Sequence, residues 1–318
     1  MPNETNNLAS VHYWQARPER VPQRFYVALC LLMSSVQDYI LGQKERQSSN
    51  LNWSATLSYY SLVHGGRLLS FLALGDFPTS HSALRRLFLP SLHPSSSSCG
   101  SGNRYCFDWL SKFAKLTGSE TVHAVPNEVG ASREFPGKIA AYLKQIQVAG
   151  VESQLTRFGA ILEAAAPLRN DSNYEALLIA HEYEHGKVTA AFERLSRHMG
   201  DAAETTLLFF VDAVSGFLRH DPCLSSSPDE YEALLHHYVH DRIRAAIRRK
   251  VGDSATIEEK LENILTRLGT QPTAAPNVRL VEQVSREMFE GKAKLIENFE
   301  NRISELERAT MGESGCSI

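Results

Sequence analysis

The sequence predicts an all-α protein, a helical bundle followed by a helical C-terminal extension, and three observations predict it. Apolar residues recur at three- and four-residue spacing along most of the chain, which is the period of one helix face. Sustained two-residue alternation of β-branched residues is missing, so the main strand signal is absent. The breaks between periodic segments are rich in Pro, Gly, Ser and Asp, residues that stop helices or start them.

In chain order, the pattern places helices over 21–43, 53–75, 80–92, 105–117, 137–148, 151–166, 172–199, 202–219, 228–251, 255–268 and 278–309. The second carries a small-residue step at Gly65-Gly66, which lets a neighbouring helix approach closely. Gly75 stops it, and Thr79 or Ser80 caps the next helix. Pro94 to Gly102 is a Ser-rich flexible loop. Pro167 closes the helix over 151–166, and Asp171 or Ser172 caps the one that follows. Ser227-Pro228-Asp229-Glu230 opens another, with Pro in the first turn and acids at the positive dipole end. These breaks divide the chain into a main bundle over 1–220 and an extension over 221–318. In the extension Val281, Val284, Met288, Leu295, Phe299, Ile303 and Leu306 form one stripe, suited to core packing or to a partner helix.

Composition narrows the function without naming it. With 318 residues, 43% of them hydrophobic, the chain is long and apolar enough to bury a real core. A net charge of -3 provides no global field toward nucleic acid or anionic lipid, so such a contact has to be a local patch. The apolar run Val27 to Met33 is far shorter than a bilayer span, so no membrane segment is expected. The polar start from Met1 to Ser10 has no secretory pattern, which makes the expected location cytoplasmic. Five widely spaced cysteines fit reduced thiols. No Gly-rich phosphate loop and no Cys-x-x-Cys pair occurs, and neither a metal nor a cofactor is expected.

Three patterns carry the chemistry. One is the helix with Tyr59-Tyr60, followed beyond Gly75 by Thr79-Ser80-His81. Another is Arg169-Asn170-Asp171-Ser172-Asn173-Tyr174. Here Arg169 is expected just outside a helix N-terminus, where free backbone N–H groups and a guanidinium together favour an anion such as phosphate. In order and helical setting these two patterns resemble the HEPN superfamily over about residues 50–195. Its members are helical domains of prokaryotic toxin–antitoxin and antiphage defence systems that often act on RNA.

The resemblance implies RNA as ligand and a homodimer or protein partner that aligns Arg169 and Tyr174 across a cleft, with Asn170 beside them as a nucleic-acid contact. It also implies a metal-independent ribonuclease. Ribonuclease-active members typically show Arg, four to six residues, then His, whereas no His follows Arg169 before His181. A noncatalytic scaffold or partner-binding subunit is therefore the alternative.

The last pattern is His181-Glu182-Tyr183-Glu184-His185, a formal match to the zinc-peptidase motif. It is the least favoured reading, because Glu204 or His198 would have to supply a third ligand without any distinctive frame. Tyr174, Leu178, His181, His185, Val188, Phe192 and Leu195 step by three or four along one stripe. Both histidines thus face the core or line a cleft with Arg169 and Tyr174, where they would act as acid and base near neutral pH. A separate basic run, Arg242, Arg244, Arg248, Arg249 and Lys250, either compensates a helix dipole or contacts a phosphate backbone.

Overall fold

The computed structural model describes residues 21–78, 80–88, 134–174, 187–224, 228–236, 238, 244–251 and 254–268, together with 279, 282, 286, 297 and 300–304. Among the described residues the fold is helical and has no strand. In order the helices are α1 (Val21–Gln47), α2 (Leu51–Leu74), α3 (His81–Phe88), α4 (Glu134–Gln145), α5 (Val151–Tyr174), α6 (Lys187–His220), α7 (Pro228–His236), α8 (Arg244–Val251) and α9 (Ala255–Leu268). The helix expected over 105–117, residues 175–186 of that over 172–199, and most of that over 278–309 lie outside the described residues. Of the C-terminal stripe only Ile303 is described, and it is 54% exposed.

Helix α2 is the axis of the bundle, packed by α1, α6, α5 and α4. A three-residue turn joins α1 to α2 as an antiparallel hairpin. The Asn50 amide N–H donates to the Glu45 carbonyl at 2.8 Å, and the Asn50 side chain donates to the Glu45 carboxylate at 2.8 Å. The helices pack closely because their contacts are small. A Cβ on Gly65 would lie 1.7 Å from the Phe210 ring of α6, and one on Gly66 would lie 2.8 Å from Phe158 of α5. Serines fill the same seams: Ser35 donates to the Ser61 carbonyl at 2.8 Å and Ser196 to the Ser54 hydroxyl at 2.8 Å. Gly75 ends α2 at φ 77°, its N–H bonded to the Phe71 carbonyl at 2.9 Å.

One charged group lies at the centre of this packing. Arg24 of α1 is fully buried and pairs with the buried Asp221 just beyond α6 at 2.9 Å. Arg24 also donates to the Leu72 carbonyl at 2.9 Å and to the Tyr142 hydroxyl at 3.1 Å, while that hydroxyl donates to Asp221 at 2.7 Å. The Cys223 amide caps the other Asp221 oxygen at 2.8 Å, and the Phe217 ring lies 4.9 Å from the guanidinium. Burial pushes the Tyr142 phenol far above its usual range and the Cys223 thiol up to about 11. Neither Cys30 nor Cys223 forms a disulfide.

Three expectations change. Pro167 does not close a helix, because α5 runs through it from Val151 to Tyr174. Arg169, Asn170, Asp171 and Ser172 are therefore inside a helix and not at an N-terminus. The helices expected over 172–199 and 202–219 are joined, since α6 is continuous from Lys187 to His220 with Met199 and Ala203 buried on either side of the expected break. Finally, Val27–Met33 sits within a 27-residue helix that is long and apolar enough to cross a bilayer, although no such span was expected. This helix buries Phe25, Leu29, Leu32, Val36 and Ile40 in the bundle. Beyond residue 220 the same apolar core continues through Tyr231, Leu234, Ile247, Leu261 and Ile264.

Candidate functional site

The site grows from the least buried face of α2. Between Trp53 and Arg67 the residues that escape burial are Trp53, Leu57, Tyr60, His64 and Arg67. Their steps of four, three, four and three place them on one stripe. Tyr59, one position off the stripe, is buried at 1% exposure.

The link between α2 and α3 brings a histidine onto this face. The Arg67 Nε–H donates to the Pro78 carbonyl at 3.1 Å, and the Ser70 hydroxyl donates to the Asp76 carbonyl at 2.9 Å. Ser80 caps α3, its hydroxyl accepting the Ala83 N–H at 3.1 Å; Thr79, the other cap expected, lies outside the described residues. So pinned, His81 packs its ring 5.5 Å from both the Tyr59 and the Tyr60 rings. Its Nδ1 lies 3.3 Å from the Tyr59 hydroxyl, and the tautomer decides which of the two donates.

Helix α5 supplies the third part. The Arg169 guanidinium donates to the Tyr60 hydroxyl at 2.7 Å, across 109 residues, with its centre 5.4 Å from the Tyr60 ring. Six residues earlier, Glu163 takes both arms of Arg85 from α3, one at 2.9 Å. That ion pair holds α3 against α5 and so holds His81 near Arg169. No family model, curated protein or solved structure matches the chain.

Electrostatics set the protonation of the cluster. His81 is pushed below the ordinary imidazole value, first by desolvation and then by the Arg67 and Arg169 cations. Next along the stripe, His64 places Nε2 3.4 Å from the Asp38 carboxylate of α1, while burial lowers its imidazole to about 4. The buried His64 Nδ1 has no hydrogen-bond partner. Burial raises the Asp38 carboxyl to about 6, against the pull of the Lys250 cation. Near neutral pH both imidazoles are therefore uncharged while Arg67 and Arg169 keep their charge. Such a site can bind an oxyanion through guanidinium and phenol groups and can accept a proton on an imidazole.

The structure thus joins Arg169 to Tyr59, Tyr60 and His81. It does so without the helix N-terminus expected at Arg169, whose anion affinity rests on the guanidinium alone. Asn170 and Tyr174 have helical backbone in α5, and their side chains, with His181, His185 and Arg242, lie outside the described residues. The basic run of α8 is a separate place. Arg244 pairs with Glu258 and Glu262 of α9, and Arg248 holds both Glu258 oxygens at 2.6 and 2.9 Å. Arg249 returns its Nε–H to the Ala245 carbonyl at 3.3 Å, and Lys250 is exposed. Glu204 forms an ion pair with Lys260, and no group of three or more potential metal ligands occurs among the described residues. Sequence reasoning missed the Asp38–His64 contact and the Arg85–Glu163 clasp. The spacing of Tyr60, His64 and Arg67 was the signal available for the face itself.

Proposed function

We propose that the protein is a HEPN-like RNA-associated component of a prokaryotic toxin–antitoxin or antiphage defence system, and that it cleaves RNA without a metal at the Tyr60–His81–Arg169 cluster. The observation that carries this reading is the convergence of three sequence-distant pieces: the paired tyrosines, the histidine opening α3 and the arginine of α5 meet within hydrogen-bonding and ring-packing distance.

The residues divide the work as follows. Arg169 and Arg67 hold the phosphodiester oxygens and stabilise the charge that gathers on them in the transition state. When its Nδ1–H donates to the Tyr59 oxygen, His81 keeps the Nε2 lone pair for the ribose 2′-hydroxyl proton. The 2′-oxygen then bonds to phosphorus as the bond from phosphorus to the 5′-oxygen breaks. A 2′,3′-cyclic phosphate results, and the departing 5′-oxygen takes a proton from solvent or from His181 or His185. Tyr60 positions Arg169.

The test is incubation of the full chain with labelled single-stranded and structured RNA in buffer containing EDTA. His81→Ala is expected to slow cleavage about a hundredfold with little change in binding, whereas Arg169→Ala weakens both. The wild-type rate should rise with pH and level off below 6.5, since His81 must be uncharged to act and its value is lowered. Full cleavage by His81→Ala would end the catalytic assignment, and His181→Ala/His185→Ala tests the proton donor.

A second reading has one observation in its favour: Arg67, Arg85 and Arg169 each already hold a partner within the fold. In that reading the cluster is an internal clasp and the protein is a noncatalytic scaffold. Wild-type protein that neither binds nor cuts RNA, yet associates with another protein, would establish it.

A further inference from the structure

The half-buried α2 stripe carries Trp53, which is 56% exposed, at one end and Arg67 at the other, with Tyr60 of the catalytic cluster midway between them. Among the described residues Trp53 and Ile303 are the large apolar side chains left open to solvent. Trp53 and Arg67 are separated by about 21 Å along the helix axis, and Leu57, Tyr60 and His64 lie between them on the same face. Helix α2 contains no Asp or Glu. Of the acids bordering the stripe, Glu163 holds Arg85, and Asp38 lies 3.4 Å from the His64 imidazole. The face is thus aromatic at one end and cationic at the other, and the helix that builds it supplies no negative charge.

Resting on the RNA reading above, we infer that this stripe is a binding track for single-stranded RNA, with Trp53 as a base-stacking platform and Arg67 and Arg169 as the phosphate anchor. An open indole can stack only on a base that is itself unpaired, and a duplex hides its base faces. The chemistry of the stripe, an aromatic platform beside a cationic anchor, is that of single-strand binders, and its length suits a segment of roughly four nucleotides. The strand runs across Tyr60 and His64, which places one sugar–phosphate unit beside His81 while a base is held at Trp53.

Fluorescence anisotropy with a labelled oligouridylate and a matched RNA duplex tests this on the full-length protein, with thermal melts confirming that each variant folds. Trp53→Ala is expected to weaken oligouridylate binding about tenfold, Trp53→Phe to recover most of it, and duplex binding to stay unchanged. The indole emission of the wild type should fall on adding oligouridylate, and Trp53→Phe should remove that response. If Arg169→Ala abolishes binding while Trp53→Ala leaves it intact, the track is wrong and the RNA reading stands. If the wild type binds no RNA, both fall. If Trp53→Ala instead converts a dimer to a monomer with RNA affinity unchanged, the stripe is a self-association surface and the track is overturned.

Discussion

Asp38 is a carboxylate held where its charge is poorly solvated, and pH measures that cost. In the fold it stays uncharged up to about pH 6, against an ordinary value of 3.8. A raised carboxyl contributes stability that is fully present below the unfolded value and is lost as pH rises through the folded one. The difference in unfolding free energy between Asp38→Asn and the wild type should therefore grow in favour of the variant from pH 4 to pH 7, by about 2 kcal/mol. Urea denaturation at the two pH values checks this; His64, whose depressed imidazole weakens the fold as pH falls toward 4, contributes the opposite trend. At this scale the sequence exposes motif residues and conceals their partners. Tyr59, Tyr60, His81 and Arg169 stand in short patterns that can be read locally. Arg85 and Glu163, 78 residues apart, have no local signature, because nothing in either neighbourhood encodes which distant charge it will meet.

Among the elements, Gly65 is the most constrained position. An added Cβ would fall 1.7 Å from a ring atom of Phe210, a fully buried side chain with Phe158 5.4 Å away on its flank. Gly65→Ala should cost about 1–3 kcal/mol despite the better helix propensity of Ala. Combining it with Phe210→Leu should cost less than the two single changes summed, as thermal melts of the four proteins would show. The glycine pair and the Ser80 cap were legible because both are local. Helix ends were legible only where nothing distant opposed the local signal. Pro167 forfeits one backbone hydrogen bond and strains the preceding turn, at about 3 kcal/mol. Yet α5 continues through it: Phe158, Ile161, Leu162, Ala165 and Ala166 bury one continuous face, and Arg169 in the following turn donates to Tyr60.

Taken as a whole, the molecule is tied together by its buried ion pair. Arg24 joins α1 to the end of α2 through Leu72, to α4 through Tyr142 and to the residue after α6 through Asp221. Asp221→Ala would strand the guanidinium in the core and should cost about 3–5 kcal/mol. Replacing both partners, as Arg24→Met/Asp221→Leu, should cost much less, and chemical denaturation of the single and double variants measures the gap. The all-α class was legible from periodicity, a property of every helix separately. The ion pair was not: Arg24 reads as an ordinary polar residue near the start of a helix, and Asp221 as part of a break.

This pair also bears on how the chain is made. Arg24 and Asp221 are separated by 197 residues, so a ribosome delivers the cation long before its counter-ion. Until Asp221 leaves the exit tunnel, α1 and α2 can offer Arg24 the Leu72 carbonyl but no counter-ion, and closing over it would bury an uncompensated cation. Completion of the core thus waits for the later helices, and a chain interrupted before residue 221 is left open where a protease or chaperone can find it.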